Sequence, residues 1–523
     1  MPSAIDRARK EADHSRPARP AQALWTPVSI AMLTLLAAAA AALRISFLAA
    51  KPFWFDECFS VEVARLGWTD FWRLMWRREA NMSLYYLLLR GWLHLGSSPY
   101  FIRSLSVIIS LASLPAIFWL ASQLFDRRAG LLAVALMSSN AFHIRYAQEA
   151  RSYSLFVLLA ILSSSFFVAA LKEPSRRNRV GYVLASVLAV YAHLYALLLV
   201  AAQWLSVRGE SENAHTRPVR RTWIWIGLAS SPLIVFAAKT GAGPIRWIQR
   251  PGFHDLLHFI EQMAGNAGLP LFFLYAAACL VAILPYEGKT GLFRTEAKSD
   301  GWSIRFLLIW LLFPVVLTLL LSLARPLFLG RYFIFCLPAL VILAAAGLAR
   351  LRPVWLLAVG LGLMLLLSLE GTFSYYDHDF DLERDGSEAA ASYILDHARP
   401  GDAILFHIAE ARVPYEFFES LRAKASPPES SAGPEVIYPR HGVRLDYRDF
   451  SGKPGSVFVH SIPDRYSRVW LVLMNNQANG HPDPTTLMLN RILGESFPRV
   501  EVVQFPEVDV RLYSKLRSPE SNN

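Results

Sequence analysis

Apolar runs that are long enough to cross a bilayer recur through the first two thirds of the chain. A helix needs about 20 residues to span the hydrocarbon core. We therefore predict single spans at 28–50, 101–124, 129–144, 152–171, 223–238, 266–284, 306–323, 333–348 and 354–369. The segment 180–206 has basic residues on both sides, which predicts an even number of crossings and hence a tight two-pass hairpin. The pattern thus predicts about eleven transmembrane helices.

The charges between these runs orient the predicted helices. Cytoplasmic loops carry an excess of Lys and Arg. One topology satisfies that rule, with Arg127, Arg128, the 289–298 loop, Arg350 and Arg352 inside, and Asp56, Glu57, Glu149 and Arg331 outside. It predicts a multi-pass protein of the cell inner (plasma) membrane with a cytoplasmic N-terminus and an extracytoplasmic C-terminus. The apolar piece at 84–95 is too short for a span and is expected to lie in the membrane interface.

The composition changes after residue 371, where charged residues, Pro and Asp become frequent. Segments 403–408, 469–474 and 500–505 have the apolar, β-branched pattern of buried strands. Segments 387–397 and 484–495 are predicted helices, the first with Asp385 and Glu388 at capping-box spacing. We predict a cytoplasmic basic tail at 1–27, a transmembrane domain at 28–372, and a soluble extracytoplasmic α/β domain at 373–523.

Composition supports this assignment and excludes some partners. Hydrophobic residues make up 54% of the 523, and the formal net charge is +11. Because the basic residues gather in short segments between apolar runs, they indicate membrane topology and contact with anionic lipid headgroups rather than nucleic acid. The three cysteines form neither a disulfide framework nor a Cys/His metal spacing. No P-loop, dinucleotide fingerprint or GxSxG elbow is present.

Two predicted outer loops carry acids. Asp56 and Glu57 follow the first span in KPFWFDECFS at 51–60. Acids at a membrane edge are costly to desolvate, so they are functional candidates by default. Glu149 and Arg151 lie in YAQEARSY at 146–153. The first pair could be ordinary solvated loop residues, and the second could pair with each other. The alternative is that both loops face one shared cavity, with Asp56, Glu57 and Glu149 as catalytic candidates.

Further candidates are expected to bind substrate. Arg331 and Tyr332 end the sequence RPLFLGRY, where a guanidinium could bind phosphate or could merely reach to the membrane interface. His193, near the predicted hairpin tip, could be a ligand, an acid or a hydrogen-bonded helix end. Tyr85 is a candidate contact, although interfacial tyrosines are common. Asp56, Glu57, Glu149 and His193 could hold a divalent cation, and this question stays open.

Taken in order, these stretches resemble the polytopic glycosyltransferases of the C type, and most closely glycosyltransferase family 39, which includes protein O-mannosyltransferases and lipid A aminoarabinose transferases. The resemblance covers roughly 28–369 and rests on Asp-Glu after the first span, NMSLYYLLL at 81–89, QEARSY at 148–153 and Gly-Arg-Tyr at 330–332. It implies a polyprenyl-phosphate-linked sugar donor and transfer on the outer face.

The resemblance also implies roles for single residues. Asp56 matches the first-loop acid, the general base, with Glu57 beside it, and Glu149 matches the second-loop acid. Arg331 and Tyr332 match the Arg-Tyr near the lipid phosphate. Asn81 stands where many relatives have the His of His-Pro-Pro, which puts the role of that stretch in doubt because Asn can only hydrogen-bond.

The implied chemistry needs few groups. A carboxylate deprotonates an acceptor hydroxyl, an Arg stabilises the phosphate leaving group, and inversion at the sugar is expected. The acceptor could be a glycan, a lipid or a protein, and the C-terminal domain could select it. The alternative functions are a transporter or flippase of lipid-linked saccharides and a membrane scaffold. The lack of an internal repeat disfavours transport.

Overall fold

The computed structural model describes residues 26–208, 216–241, 248–284, 301–377, 386–425, 433–439, 452–474, 476–478 and 481–515. Up to residue 377 the described chain is helical. The helices are α1 (Pro27–Ile45), α2 (Phe55–Arg65), α3 (Trp68–Leu74), α4 (Ser83–Trp92), α5 (Pro99–Leu124), α6 (Arg127–Ser139), α7 (Ala141–Ala147), α8 (Tyr153–Lys172), α9 (Arg176–Ala192), α10 (Ala196–Ser206), α11 (Thr216–Thr240), α12 (Phe253–Ala264), α13 (Gly268–Ile283), α14 (Gly301–Ser322), α15 (Leu337–Arg350) and α16 (Val354–Asp377). Short π- and 3₁₀-helical turns at Met75–Glu79, Ala80–Met82 and Gly330–Cys336 complete this part.

Every predicted span coincides with helical structure, which confirms a polytopic helical membrane protein. Among the described residues, seven helices are long and apolar enough to cross a membrane, or eight if α12 and α13, bent by 66°, form one span. The predicted eleven crossings also require α6, α9 and α10, which have only 13, 17 and 11 residues. A straight crossing needs about 20 residues, so these three are shorter than the hydrocarbon core.

Exposure separates lipid-facing helices from central ones. Only 17% of the apolar window of α1 and of α16 is buried, and Leu35 and Leu366 are 71% and 65% exposed. The window that contains α15 is 83% buried, so this helix lies inside the bundle. Gly347 on α15 permits close packing, since a Cβ there would lie 1.8 Å from the carbonyl oxygen of Ala278 on α13.

Two local predictions need comment. The predicted span at 129–144 is not one helix but two, α6 and α7, because the Asn140 side chain accepts a hydrogen bond from the His143 N–H and caps a new helix. The predicted hairpin forms as the two helices α9 and α10, with His193 and Tyr195 at its turn, and its two membrane crossings stay a prediction. The interfacial piece forms α4, a helix of ten residues.

The C-terminal region is an α/β unit, as predicted. Its helices are α17 (Ser387–His397), α18 (Arg412–Ala425), α19 (Ser456–His460) and α20 (Pro484–Ser496). Its strands are β1 (Ala403–Phe406), β2 (Glu435–Tyr438), β3 (Arg468–Met474), β4 (Gln477–Ala478), β5 (His481–Pro482), β6 (Arg499–Phe505) and β7 (Val508–Ser514). Five strands form a mixed sheet in the order β2-β1-β3-β7-β6, with β1 parallel to β2 and β3 and with β7 antiparallel to β3 and β6.

Alternate residues of β1 face opposite sides of this sheet, as strand geometry requires. Ile404 and Phe406 join the core that includes α17, α18 and the membrane bundle. Ala403 and Leu405 join a second core with α20. The layer of α17 and α18 therefore links the sheet to the bundle.

The predicted capping box at the start of α17 does not form among the described residues. The N-cap residue is Gly386, and Asp385 lies outside the described residues. Glu388 instead accepts a hydrogen bond from the backbone N–H of Phe53, 3.0 Å away in the first loop. Glu388 therefore links α17 to the first loop.

Candidate active site

Asp56 lies in the first turn of α2, where a helix N-terminus favours a negative charge. Its side chain is 23% exposed. Arg151 approaches it from the loop before α8, with Nη2 3.4 Å from Asp56 Oδ2 and Nη1 3.4 Å from the Asp56 carbonyl oxygen. The carboxylate is thus oriented by a guanidinium and still partly accessible.

Glu57 is placed very differently, although it is the next residue. It is fully buried, and Arg103 donates from Nε and Nη2 to its two carboxylate oxygens at 2.9 and 2.6 Å. The backbone N–H of Ala150 donates to Glu57 Oε1 at 2.8 Å. Glu57 therefore joins the two outer loops and α5, and a substrate cannot reach it without breaking these bonds.

Arg103 also holds the segment that precedes Asp56. Its guanidinium donates to the carbonyl oxygens of Leu48, Lys51 and Pro52 at 2.9 to 3.0 Å. The ring of Phe53 lies 4.9 Å from the same guanidinium. This arrangement is typical of a structural buried charge, because its hydrogen-bonding capacity is used.

The C-terminal domain closes over this segment. Phe53 stacks on Phe417 of α18 with ring centroids 5.0 Å apart and planes 11° apart. Together with the Glu388 hydrogen bond, this contact fixes the backbone only three residues before Asp56. The C-terminal domain and the candidate acids therefore lie on the same side of the bundle.

Glu149 is buried beside Asp56 but faces another partner. Its Oε1 lies 3.4 Å from Nε of Arg145, one helical turn earlier. The loop is anchored by Gln148, whose amide donates to the carbonyl oxygens of Arg44 and Ser46 at 2.9 and 2.8 Å. Of the two arginines in this segment, Arg145 contacts Glu149 and Arg151 contacts Asp56.

Arg331 and Tyr332 come from a distant part of the chain and meet the first loop. Both lie on the 3₁₀ turn before α15. The Arg331 guanidinium is 5.8 Å from the ring of Trp54, which is the N-cap residue of α2. It is also within electrostatic range of Asp56 and Tyr153.

His193 completes the group from the tip of the α9–α10 hairpin. It is 1% exposed, and its ring centroid lies 4.8 Å from that of Tyr332 and 5.0 Å from that of Phe156. We call the assembled group the outer cluster. Its members are Trp54, Asp56, Arg151, Tyr153, His193, Arg331 and Tyr332.

Two sequence candidates lie beside the outer cluster with other partners. The side-chain oxygen of Asn81 accepts a hydrogen bond from the Leu194 N–H at 2.8 Å, which attaches the first loop to the hairpin tip. The hydroxyl of Tyr85 is 3.0 Å from that of Ser106 in the protein interior. Tyr85 is fully buried.

Glu79 was missed by the sequence reasoning. It precedes Asn81 by two residues, its Oε1 accepts a hydrogen bond from Tyr86 at 3.0 Å, and it lies within electrostatic range of Arg151 and Asp56. Burial raises the pKa of the Glu79 carboxyl, although Arg151 and Tyr86 oppose this shift. In the sequence Glu79 directly follows Arg77 and Arg78 and resembles a solvated loop residue. Only the fold reveals that it lies close to the candidate site.

The described residues contain no group of three His, Cys, Asp or Glu side chains that could hold a metal ion. Asp56 and Glu149, the two possible ligands, each face an arginine instead. The described residues therefore do not fit a preformed divalent cation site.

Several solved structures share the fold of this chain. ArnT from Cupriavidus metallidurans in the apo state matches with a TM-score of 0.60 at 12% identity, covering 93% of this chain and 98% of that one. The same enzyme bound to undecaprenyl phosphate matches with a TM-score of 0.52 at 11% identity, covering 95% and 98%. The oligosaccharyltransferase of Archaeoglobus fulgidus, in complex with Zn and sulfate, matches with a TM-score of 0.50 at 11% identity, covering 84% and 67%.

These likenesses define a class of architecture. The chain is a multi-pass membrane protein with the fold of the C-type polytopic glycosyltransferases, as the order of sequence motifs predicted. No family model and no curated protein matches the sequence. At such low identity the likeness establishes the fold, and the activity has to be argued from the site.

Proposed function

We propose that this protein transfers a sugar from a polyprenyl-phosphate-linked donor to an acceptor hydroxyl on the outer face of the membrane, with inversion. The observation that carries the proposal is the position of Asp56, a partly exposed carboxylate 3.4 Å from the guanidinium of Arg151 and within electrostatic range of Arg331. This pairing of one base with cations suits a reaction that removes a proton and releases a phosphate.

In this scheme the acceptor hydroxyl loses its proton to the Asp56 carboxylate as its oxygen bonds to the anomeric carbon of the sugar. The bond between that carbon and the phosphate oxygen breaks, and the polyprenyl phosphate leaves with the electron pair. Arg331 and Tyr332 bind the phosphate, and Arg151 orients Asp56. No nucleotide is needed because the lipid phosphate already activates the sugar.

The geometry favours one displacement over two. Glu57 and Glu149 are both buried against arginines, so neither can approach the sugar as a second nucleophilic carboxylate without leaving its partner. We assign Glu57 a positioning role, since it joins the first loop to α5. A single in-line attack inverts the anomeric centre.

A lipid donor also explains where the site lies. The outer cluster is formed at the ends of membrane helices α8, α9 and α15, next to the first loop. One structure with this fold was solved with undecaprenyl phosphate bound, which supports a donor of this class. With a cytoplasmic N-terminus, the cluster and the C-terminal domain would face the periplasm or cell exterior.

Asp56→Asn tests the proposal. Membranes from cells that lack the protein are compared by mass spectrometry of polyprenyl-phosphate species, after rescue with wild type, Asp56→Asn or Asp70→Asn. Asp70 is the matched control, because it lies in the same loop but pairs with Arg73 at the surface. Loss of a general base costs roughly 10²- to 10⁴-fold in rate.

We expect one lipid-linked sugar to accumulate in the null strain and with Asp56→Asn, and not with wild type or Asp70→Asn. Full rescue by Asp56→Asn at equal expression would exclude it as the base and would favour the transporter or scaffold.

A further inference from the structure

Several buried polar atoms of the outer cluster have no hydrogen-bond partner. In the described part of the chain these include Trp54 Nε1, Arg151 Nε, Tyr153 Oη and His193 Nε2. Buried polar groups in proteins are nearly always paired, so each exception needs an explanation. Four exceptions around one arginine, Arg331, indicate that a ligand supplies the missing acceptors.

The hydrogen bonding of His193 assigns its tautomer. The backbone N–H of Tyr195 donates to His193 Nδ1 at 3.2 Å, so Nδ1 must present its lone pair. In a neutral imidazole the proton then resides on Nε2. The unpaired atom of this buried ring is therefore an N–H donor and not an acceptor.

The ring is also held in place. It lies nearly parallel to Phe156, with planes 8° apart, and it contacts Tyr332 and Tyr195 on other sides. Rotation toward solvent would break this packing. The charged groups that act on the imidazole are Arg151 and Arg331, both cations of the outer cluster.

The outer cluster contains two more neutral donors, on Tyr153 and Trp54. The Tyr153 ring centroid is 6.3 Å from that of His193, and its buried hydroxyl is within electrostatic range of Arg331. Trp54 supplies an indole N–H, and its ring lies 5.8 Å from the same guanidinium. An indole can only donate, and a hydroxyl beside cations is best used as a donor.

We propose that the N–H of His193, the hydroxyl of Tyr153 and the indole N–H of Trp54 form a cradle of neutral donors for the phosphate of a polyprenyl phosphate. This inference rests on the proposed function, which it deepens by naming the groups that hold the leaving group. As the glycosyl–phosphate bond breaks, negative charge grows on the phosphate oxygens. Donors placed in advance stabilise that charge without further cations.

Binding of farnesyl phosphate to the full-length protein in detergent tests the cradle directly, with inorganic phosphate measured in parallel. His193→Phe keeps a planar ring against Phe156 but lacks the N–H, and Tyr153→Phe lacks only the hydroxyl. Losing one hydrogen bond to a charged group weakens binding about tenfold or more. His193→Gln retains an amide donor and should recover most of the affinity. Tyr275→Phe, a buried tyrosine of α13, is the control and should bind like wild type.

Weaker binding of farnesyl phosphate by His193→Phe and Tyr153→Phe, with recovery in His193→Gln, would establish the cradle. If inorganic phosphate shows the same losses, the cradle recognises the phosphate group itself, and if it does not, the lipid chain is part of the ligand. Wild-type affinity in both phenylalanine variants would overturn the proposal.

Asp56→Asn separates this inference from the proposed function. It should bind farnesyl phosphate normally and lose transfer. If Asp56→Asn transfers normally while His193→Phe binds weakly, the base assignment fails and the cradle stands.

Discussion

Two neighbouring regions of this protein bury arginine and carboxylate side chains in opposite ways. The first is the outer cluster. The second, here called the support cluster, consists of Phe53, Glu57 and Arg103. In the support cluster Arg103 donates five hydrogen bonds to oxygen atoms, all 3.0 Å or shorter. In the outer cluster Arg151 makes contacts of 3.4 to 3.5 Å and leaves its Nε unpaired.

The difference separates structure from function at two consecutive acids. A buried charge with saturated hydrogen bonds stabilises the fold around it, whereas one with spare capacity is available to a ligand. Asp56 and Glu57 are identical in kind and adjacent in sequence. Only their partners distinguish Asp56, the proposed base, from Glu57, which holds the loop.

The largest effects are expected from removing the two arginines in turn. Arg103→Met leaves Glu57 buried and unpaired, which costs about 3–5 kcal/mol and should lower the thermal unfolding midpoint and the yield of folded protein. Arg151→Met should leave the midpoint almost unchanged, because Asp56 can still be solvated, but should slow transfer about 10²-fold. Thermal unfolding and transfer rates of both purified variants are measured together. Equal destabilisation by the two substitutions would remove the distinction between the clusters.

A smaller effect is expected where the C-terminal domain meets the support cluster. Phe417→Ala removes the ring that stacks on Phe53, at a cost of about 3 kcal/mol. Because Phe53 precedes Asp56 closely, we expect kcat to fall about tenfold with every acceptor, including water. Phe497→Ala is the matched control, since it is equally buried but lies on the far side of the sheet. A change confined to the acceptor KM would show that this domain selects acceptors and does not support the base.

The smallest effect concerns pH. Burial raises the pKa of Glu410 to about 7 despite the nearby Arg78 of the first loop. A carboxyl whose pKa is higher in the folded state stabilises the fold fully below its unfolded pKa and loses that contribution as pH rises to about 7. The wild type should therefore lose more thermal stability between pH 5 and 8 than Glu410→Gln does. Glu495→Gln at an exposed site should behave like wild type, and identical pH profiles for all three would contradict the shift.

Much of the fold follows from local pattern. Apolar runs located the seven long membrane helices, and the strand pattern located β1, β3 and β6, because these periodicities are set along one element. The prediction that 500–505 is a buried strand was wrong, since β6 lies at the edge of the sheet and is mostly exposed. The break at Asn140 was not predicted. A polar residue inside an apolar run is compatible with a continuous helix until its side chain is seen to cap the next turn.

The candidate site was only partly accessible to the same reasoning. The sequence predicted that Asp56, Glu149, Arg331 and His193 lie on one side of the membrane, and the structure brings them near one another. The sequence could not show that Arg145 contacts Glu149 or that Glu79 lies within electrostatic range of Arg151. Nor could it show that, within the described residues, the Tyr153 hydroxyl and the Trp54 indole N–H have no hydrogen-bond partner. Glu79 and Arg151 are 72 residues apart in the chain and Trp54 and Arg331 are 277 apart, and no local periodicity records proximity at such separations.

The amino-acid sequence by itself determined that this is a multi-pass membrane protein with a C-terminal α/β unit and acids at one membrane edge, because hydropathy and charge order act locally along the chain. Tertiary structure alone decided which acid is buried and which is exposed, since that depends on the arginine each one meets. Asp56 and Glu57 differ by one helical position of about 100°. That rotation turns Glu57 into the interior against Arg103 and leaves Asp56 at the edge of the site.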